Sequence, residues 1–130
     1  MKLATLLAVL ALLLAACGGG AAAGDDRTPR YDITIVFWPL GADGESRQAT
    51  LRCDPDGGTH PDPNGACDTL LENEDALEPV SGDVACTEIY GGDQVATIIG
   101  AGVQASFSRV NGCEIARWDA LADVIELPVD

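Results

Sequence analysis

The chain has 130 residues and a formal net charge of −14, with 21 Asp and Glu against seven Lys and Arg. Such an acidic chain is a poor partner for nucleic acid, because each phosphate contact needs a cation to replace released counterions. The acidic residues keep a small domain soluble, and their field favours cationic partners over anionic ones.

An apolar run at the N-terminus has the features of a targeting segment. Residues 3–16 are an unbroken stretch of Leu, Ala, Val and Thr that follows Lys2. The stretch is shorter than the roughly 20 residues that a membrane-spanning helix needs. A positive start, an apolar core of this length and small residues at its end are typical of a secretory signal. We therefore predict that residues 1–16 are a signal peptide.

The apolar run ends in Leu14-Ala15-Ala16-Cys17, which resembles the lipobox of bacterial lipoproteins. The resemblance implies lipid transfer to the Cys17 sulfur, cleavage before it, and a lipid-only anchor at the outer face of the bacterial cytoplasmic membrane. The alternative is ordinary cleavage after Ala16, which leaves Cys17 free on a secreted protein. Residues 17–30 predict a flexible linker with a reach of about 20 Å. Residues 31–130 then form one domain.

Four further cysteines lie in the predicted domain, at Cys53, Cys67, Cys86 and Cys113. An even number in an exported chain predicts disulfides, and the sequence lacks the close ligand pairs typical of zinc sites. Three pairings are possible, of which we expect Cys53–Cys67 and Cys86–Cys113. In the chain-entropy model these bridges stabilise the domain by about 3 and about 3.5 kcal/mol.

The first half of the domain predicts a hairpin followed by a helix. Apolar residues alternate over residues 33–38 and again over 47–54, which is the period of a strand. Pro39 closes the first strand, and the turn residues after it favour a hairpin. Asn64 is the expected cap of an amphipathic helix that ends near Leu77.

The second half predicts the remainder of an α+β fold. Strand periodicity returns over residues 94–99 and 103–110, on either side of a Gly-rich turn. A short helix is expected over 114–122 and a closing strand over 124–127. Together these elements predict an α+β fold, with an antiparallel sheet of about five strands, one or two helices packed on one face, and two disulfides.

The loop before the first helix carries oxygen-bearing side chains that suggest a calcium site, at Asp54, Asp56, Asp62 and Asn64. Their spacing fails the EF-hand pattern, and the same residue types are common turn formers. His60 has no partner Ser or Cys in a nucleophile motif, and no carboxylate pair is set up for acid and base chemistry. We therefore expect no metal, no cofactor and no catalytic residues, and hence no enzyme.

The segment Cys86-Thr87-Glu88-Ile89-Tyr90 has neither helical nor strand periodicity and precedes a Gly91-Gly92 turn. In this context the domain resembles the subtilisin-inhibitor-like family of secreted actinobacterial serine protease inhibitors, over roughly residues 33–114. The residues that carry the resemblance are Leu51, Cys53, Pro55, Gly58-Thr59-His60-Pro61, Ala66-Cys67, Leu70, Cys86, Tyr90, Thr97, Gly100, Ser106, Asn111, Cys113 and Glu114.

The resemblance implies a serine protease inhibitor that presents residues 86–90 as a rigid, substrate-like reactive loop. Glu88 would enter the main specificity pocket of a serine endopeptidase, so the reactive bond is Glu88–Ile89. Asn111 would brace the loop backbone through its side chain, and Cys113 would hold it through the disulfide. Family members commonly pair through their sheets as homodimers, and the sequence leaves open whether this chain does.

Several residues of the segment depart from the family pattern. Glu88 stands where the best-known members carry Met or Lys, and Thr87 stands where Pro is common. Gly91-Gly92 replaces an Asp-Pro, which predicts a less rigid loop after the reactive bond, on the side that carries the leaving amine. An acidic residue needs a cation in the pocket that receives it. Either the target is a glutamate-preferring protease, or the chain is a non-inhibitory extracytoplasmic binding module on the same scaffold.

Overall fold

The computed structural model describes residues 28–130, so the predictions for the signal peptide, Cys17 and most of the linker lie outside it. Within the described residues, no helix is long and apolar enough to span a membrane. The elements of this part of the chain are β1 (Tyr31–Trp38), β2 (Arg47–Cys53), β3 (Gly57–Gly58), α1 (Pro63–Glu72), a 3₁₀ helix (Glu74–Leu77), β4 (Val95–Gly100), β5 (Val103–Phe107), α2 (Gly112–Ala120) and α3 (Ala122–Ile125).

The strands form one antiparallel sheet in the order β3-β2-β1-β4-β5. In β1 the side chains of Ile33, Ile35 and Phe37 are buried and alternate with less buried ones, because successive side chains of a strand point to opposite faces. The helices cover the buried face, where the Trp118 ring of α2 lies 6.1 Å from the Phe37 ring. The predicted α+β fold is therefore confirmed.

Both predicted disulfides are present. The Cys53–Cys67 bridge joins β2 to α1 in the core, with a distance of 5.6 Å between the Cα atoms. The Cys86–Cys113 bridge joins the loop after the 3₁₀ helix to the first turn of α2, with a Cα–Cα distance of 5.4 Å. The first bridge fastens a helix to the sheet, and the second fastens an exposed loop to a helix.

The first helix differs from its prediction at both ends. It is capped by Asp62, not by Asn64, because Pro63 suits the first helical position, where its missing N–H needs no partner. It also ends earlier, because the backbone and side-chain N–H groups of Asn73 both donate to the Thr69 carbonyl. The 3₁₀ helix takes the place of the predicted last turn.

The closing strand predicted over residues 124–127 is wrong, since this stretch begins with the end of α3. Val124 and Ile125 are both fully buried. Neighbouring residues of a strand point to opposite faces, whereas one helical turn can press both against the same core. The backbone N–H groups of these two residues accordingly donate to the Leu121 carbonyl.

His60 is the one buried polar residue of the described part of the chain, with 7% of its surface exposed. The Asp62 N–H donates to its Nδ1 at 3.1 Å, so Nε2 carries the proton and donates to the Val124 carbonyl at 3.1 Å. Both ring nitrogens are thus used to join the loop before α1 to α3.

Candidate functional site

Residues 86–90, which we call the 86–90 loop, form an exposed connection between the 3₁₀ helix and β4. Thr87 and Glu88 are exposed, and Ile89 and Tyr90 leave 55% and 66% of their surfaces open to solvent. Adjacent large apolar side chains that remain exposed mark a surface suited to a protein partner. Both sides of the predicted reactive bond are therefore accessible.

The first turn of α2 holds the side of the loop that ends at Glu88. The Gly112 N–H donates to the Thr87 carbonyl at 2.9 Å. It is one of the N-terminal helix donors that have no partner inside the helix. The next residue, Cys113, carries the disulfide to Cys86. A hydrogen bond and a covalent bond from two consecutive helix residues thus fix this half of the loop.

Asn111 is the N-cap of α2. Its backbone is extended, and its side-chain Oδ1 accepts the Glu114 N–H at 3.0 Å. Within residues 28–130 its side chain forms no hydrogen bond with the 86–90 loop, so the predicted brace stays a prediction. The bond to Thr87 comes from the backbone of the following residue, Gly112, whose position is set by the cap.

Gly91 holds the other side of the loop through two hydrogen bonds with Arg109. The Gly91 N–H donates to the Arg109 carbonyl at 2.7 Å, and the Arg109 Nε donates to the Gly91 carbonyl at 3.1 Å. A Cβ at position 91 would lie 2.9 Å from the Ile115 Cδ1 atom, so a larger residue there would require the Ile115 side chain to shift. The sequence predicted a less rigid segment after the Glu88–Ile89 bond, yet both backbone polar groups of Gly91 form hydrogen bonds.

The predicted reactive bond lies in a tight local turn. The Ile89 N–H donates to the Thr87 carbonyl at 3.0 Å, across the single residue Glu88. A hydrogen bond of this span defines a three-residue γ-turn. The Thr87 carbonyl therefore accepts two N–H groups, one from the bond that would be cut and one from Gly112.

The stretch of chain around the bond is acidic. Asp83, Glu88 and Asp93 are all exposed. The hydrogen bond from the Ser81 hydroxyl lowers the pKa of Asp83, which keeps this carboxylate charged. The Tyr90 hydroxyl donates to the Asp93 carboxylate. A partner that covers this surface would meet negative charge beside apolar side chains.

The model of the subtilisin inhibitor-like family matches residues 38–111, which are more than half of the chain. The chain belongs to this family. A search of curated proteins gives no match. The match confirms the resemblance, includes the 86–90 loop and stops at Asn111, just before Cys113. Since members of the family inhibit serine proteases, an inhibitory role and a protease partner fit the chain.

Sequence reasoning missed two residues that hold the loop, namely Arg109 and Gly112. Neither lies in a recognisable motif, because their contacts join segments far apart in the chain. A signal did exist at position 112, where a glycine follows a helix-capping residue directly. Glycine is a poor helix former, so its presence there indicates a close approach by another part of the molecule.

Gly112 provides a test of the attachment, because a Cβ at this position would collide with the Thr87 Oγ1. In Gly112→Ala we expect the collision to displace Thr87 and to break the bond to its carbonyl. The amide of residue 112 should then exchange with solvent about fivefold faster or more, which NMR can measure. The thermal midpoint should change little, since the higher helix propensity of alanine offsets the lost hydrogen bond.

A second substitution serves as the control. Adding Thr87→Ala to the Gly112→Ala variant removes the colliding hydroxyl and should restore the slow exchange at position 112. If the single variant exchanges as slowly as the wild type, the Thr87 side chain simply turns aside. The glycine would then not be needed for the attachment.

Proposed function

We propose that this domain inhibits a serine endopeptidase by presenting the 86–90 loop as a substrate, with Glu88–Ile89 as the reactive bond. The observation that carries the proposal is the attachment of both sides of this bond to one region of the domain. The 86–87 side is tied to the first turn of α2, and Gly91 is tied to Arg109, just before that helix. Membership of the family supports the same role.

The chemistry of the cut is reversible when its products cannot separate. The protease serine attacks the Glu88 carbonyl, the bond to the Ile89 nitrogen breaks, and this nitrogen takes a proton and leaves as an amine. In a flexible peptide the amine diffuses away, and water hydrolyses the acyl-enzyme ester. An amine that is held beside the ester attacks its carbonyl carbon, re-forms the peptide bond and returns the proton to the serine. Groups held in this way react as if at a very high concentration.

The same attachments support tight binding. A loop that is already fixed in its bound shape avoids much of the entropy cost of ordering on association. Inhibitors of this kind reach high affinity through interfaces of only standard size. The exposed side chains of Ile89 and Tyr90 supply apolar surface for such an interface.

The glutamate at position 88 favours a protease that prefers glutamate as the target. Its carboxylate would cost several kcal/mol to bury in an apolar pocket, whereas a pocket with a cation would compensate for the lost hydration. The net charge of −14 adds an attraction toward a cationic substrate cleft, and such fields raise association rates.

A panel of Glu88 variants tests the proposed target. We expect the wild-type domain to inhibit a glutamate-preferring serine endopeptidase, and Glu88→Gln to weaken that inhibition at least about a hundredfold, since it removes the charge and keeps the shape. Glu88→Met should gain inhibition of subtilisin. Inhibition constants, together with mass spectrometry of slow cleavage between residues 88 and 89, provide the measurement.

The outcomes of this panel separate the two candidate functions. Inhibition by the wild type with no loss in Glu88→Gln would reject the role of the carboxylate while leaving the inhibitor proposal in place. If neither the wild type nor Glu88→Met inhibits any protease of the panel, inhibition is rejected. The domain would then be a non-inhibitory binding module, and a partner recovered from envelope extracts should bind equally well to loop variants.

The two disulfides offer a matched comparison. Replacing Cys86 and Cys113 by serine should convert the inhibitor into a substrate that is cut and released, because the 86–87 side loses its covalent attachment. Replacing Cys53 and Cys67 should lower the free energy of unfolding by a similar amount, about 3 to 3.5 kcal/mol, without loss of inhibition while the domain stays folded. Urea unfolding and the time course of protease inhibition are the measurements. Equal inhibition by the two pairs of variants would contradict the role of the loop disulfide.

We further propose that lipid on Cys17 tethers the domain to the outer face of the cytoplasmic membrane. The sequence Leu14-Ala15-Ala16-Cys17 supports this proposal. The full-length chain expressed in a bacterium should incorporate radioactive fatty acid, and the Cys17→Ser variant should not. Absence of label from the wild-type chain would indicate ordinary cleavage and a secreted protein.

A further inference from the structure

We infer that Arg109 is a positioning residue that holds the leaving-group side of the reactive bond, an inference that rests on the proposed inhibitory function. Its Nε donates to the Gly91 carbonyl at 3.1 Å, and its own carbonyl accepts the Gly91 N–H at 2.7 Å. Gly91 lies two residues after Ile89, whose nitrogen becomes the free amine when the bond is cut. Arg109 therefore holds the chain two residues after the Ile89 amine, which must stay beside the acyl group for the peptide bond to re-form.

The guanidinium of Arg109 is itself held by α2. Its Nη1 lies 3.4 Å from the Asp119 carboxylate, and its Cζ lies 5.7 Å from the centre of the Trp118 ring. Trp118 is fully buried, and its Nε1 donates to the Glu126 carboxylate at 2.6 Å. The donor that reaches Gly91 is therefore fixed by the same helix that holds Thr87 and Cys86.

The other contacts of the segment after the Glu88–Ile89 bond do not attach it to the domain as Arg109 does. The Tyr90 hydroxyl bonds to Asp93, but both residues belong to the segment that would be released. The Cys86–Cys113 disulfide holds the residues before the cut and not those after it. Beyond Gly91, the next regular attachment to the sheet begins at Val95, the first residue of β4. The Ile89 N–H bonds only within the loop, to the Thr87 carbonyl. Within residues 28–130 the hydrogen bonds that tie positions 89–91 to residues outside the 86–93 segment are those with Arg109.

Two substitutions separate the hydrogen bond from the charge of Arg109. In Arg109→Gln the amide nitrogen occupies the position of the arginine Nε, so it can still donate to the Gly91 carbonyl without a charge. In Arg109→Met a methyl group occupies that position, so the stem has a similar length and the donor is lost. Both variants lose the contact with Asp119 and the cation over Trp118. Asp119→Asn removes the ion pair alone and is a third control.

Both variants should lower the thermal midpoint, because both lose the same charge interactions, and Arg109→Met should lower it further because it also loses the hydrogen bond to Gly91. We expect only Arg109→Met to lose inhibition with time, through cleavage between residues 88 and 89 that is about tenfold faster or more. Arg109→Gln should be cut at a rate within about threefold of the wild type. Asp119→Asn should behave likewise, because its amide oxygen can still accept the hydrogen bond from the Arg109 Nη1. Mass spectrometry of the domain incubated with its protease gives these rates, and the association rate constant should be alike in all four proteins.

An NMR readout that needs no protease keeps this inference distinct from the proposed function. The amide of Gly91 should exchange faster in Arg109→Met than in Arg109→Gln, and relaxation should show positions 89–91 to be more mobile. If the wild type inhibits but Gln and Met variants are cut at the same rate, the inference is overturned and the proposed function stands. If the wild type inhibits no protease but the NMR difference appears, Arg109 positions the segment and the inhibitory function is what fails.

Discussion

The half-buried first turn of α2 needs hydrogen-bond partners for its N–H groups, and the 86–90 loop supplies one of them. The first N–H groups of any helix lack acceptors within the helix. Here the side chain of Asn111 satisfies the Glu114 N–H, and the carbonyl of Thr87 satisfies the Gly112 N–H. The helix thus gains an acceptor that water would otherwise supply, and the loop gains a fixed point. Loop and helix stabilise each other through the same bond.

A fixed point is useful only if the helix cannot move, and the packing of α2 provides this. Trp118 is fully buried against Phe37 of the central strand. On the same helix, Arg117 donates to the carbonyls of Ala76 and Ser106, at 3.1 and 3.2 Å. One aromatic side chain therefore fastens α2 to the sheet, while one guanidinium fastens it to the 3₁₀ helix and to β5.

The sequence predicted those parts of the fold that depend on local pattern. The alternation in β1 gave both the strand and its buried face, because period two follows directly from strand geometry. The pattern at residues 124–127 misled, because a short apolar run can belong to a buried helical turn as well as to a strand, and sequence periodicity does not distinguish the two. The position of the loop was predictable from the family resemblance. Its attachment through Arg109 was not, since that contact depends on tertiary structure.

The domain separates the groups that hold the 86–90 loop from the side chains that the loop exposes. Rigidity comes from backbone groups at positions 87 and 91 and from one disulfide. Within residues 28–130 the side chain of Glu88 accepts no hydrogen bond, and the side chains of Ile89 and Tyr90 remain largely exposed. Substitution at position 88 should therefore alter recognition with little effect on stability, because surface positions without such contacts rarely change it by much. This separation allows the residue at position 88 to change without any rearrangement of the core, because the attachments of the loop do not pass through that side chain.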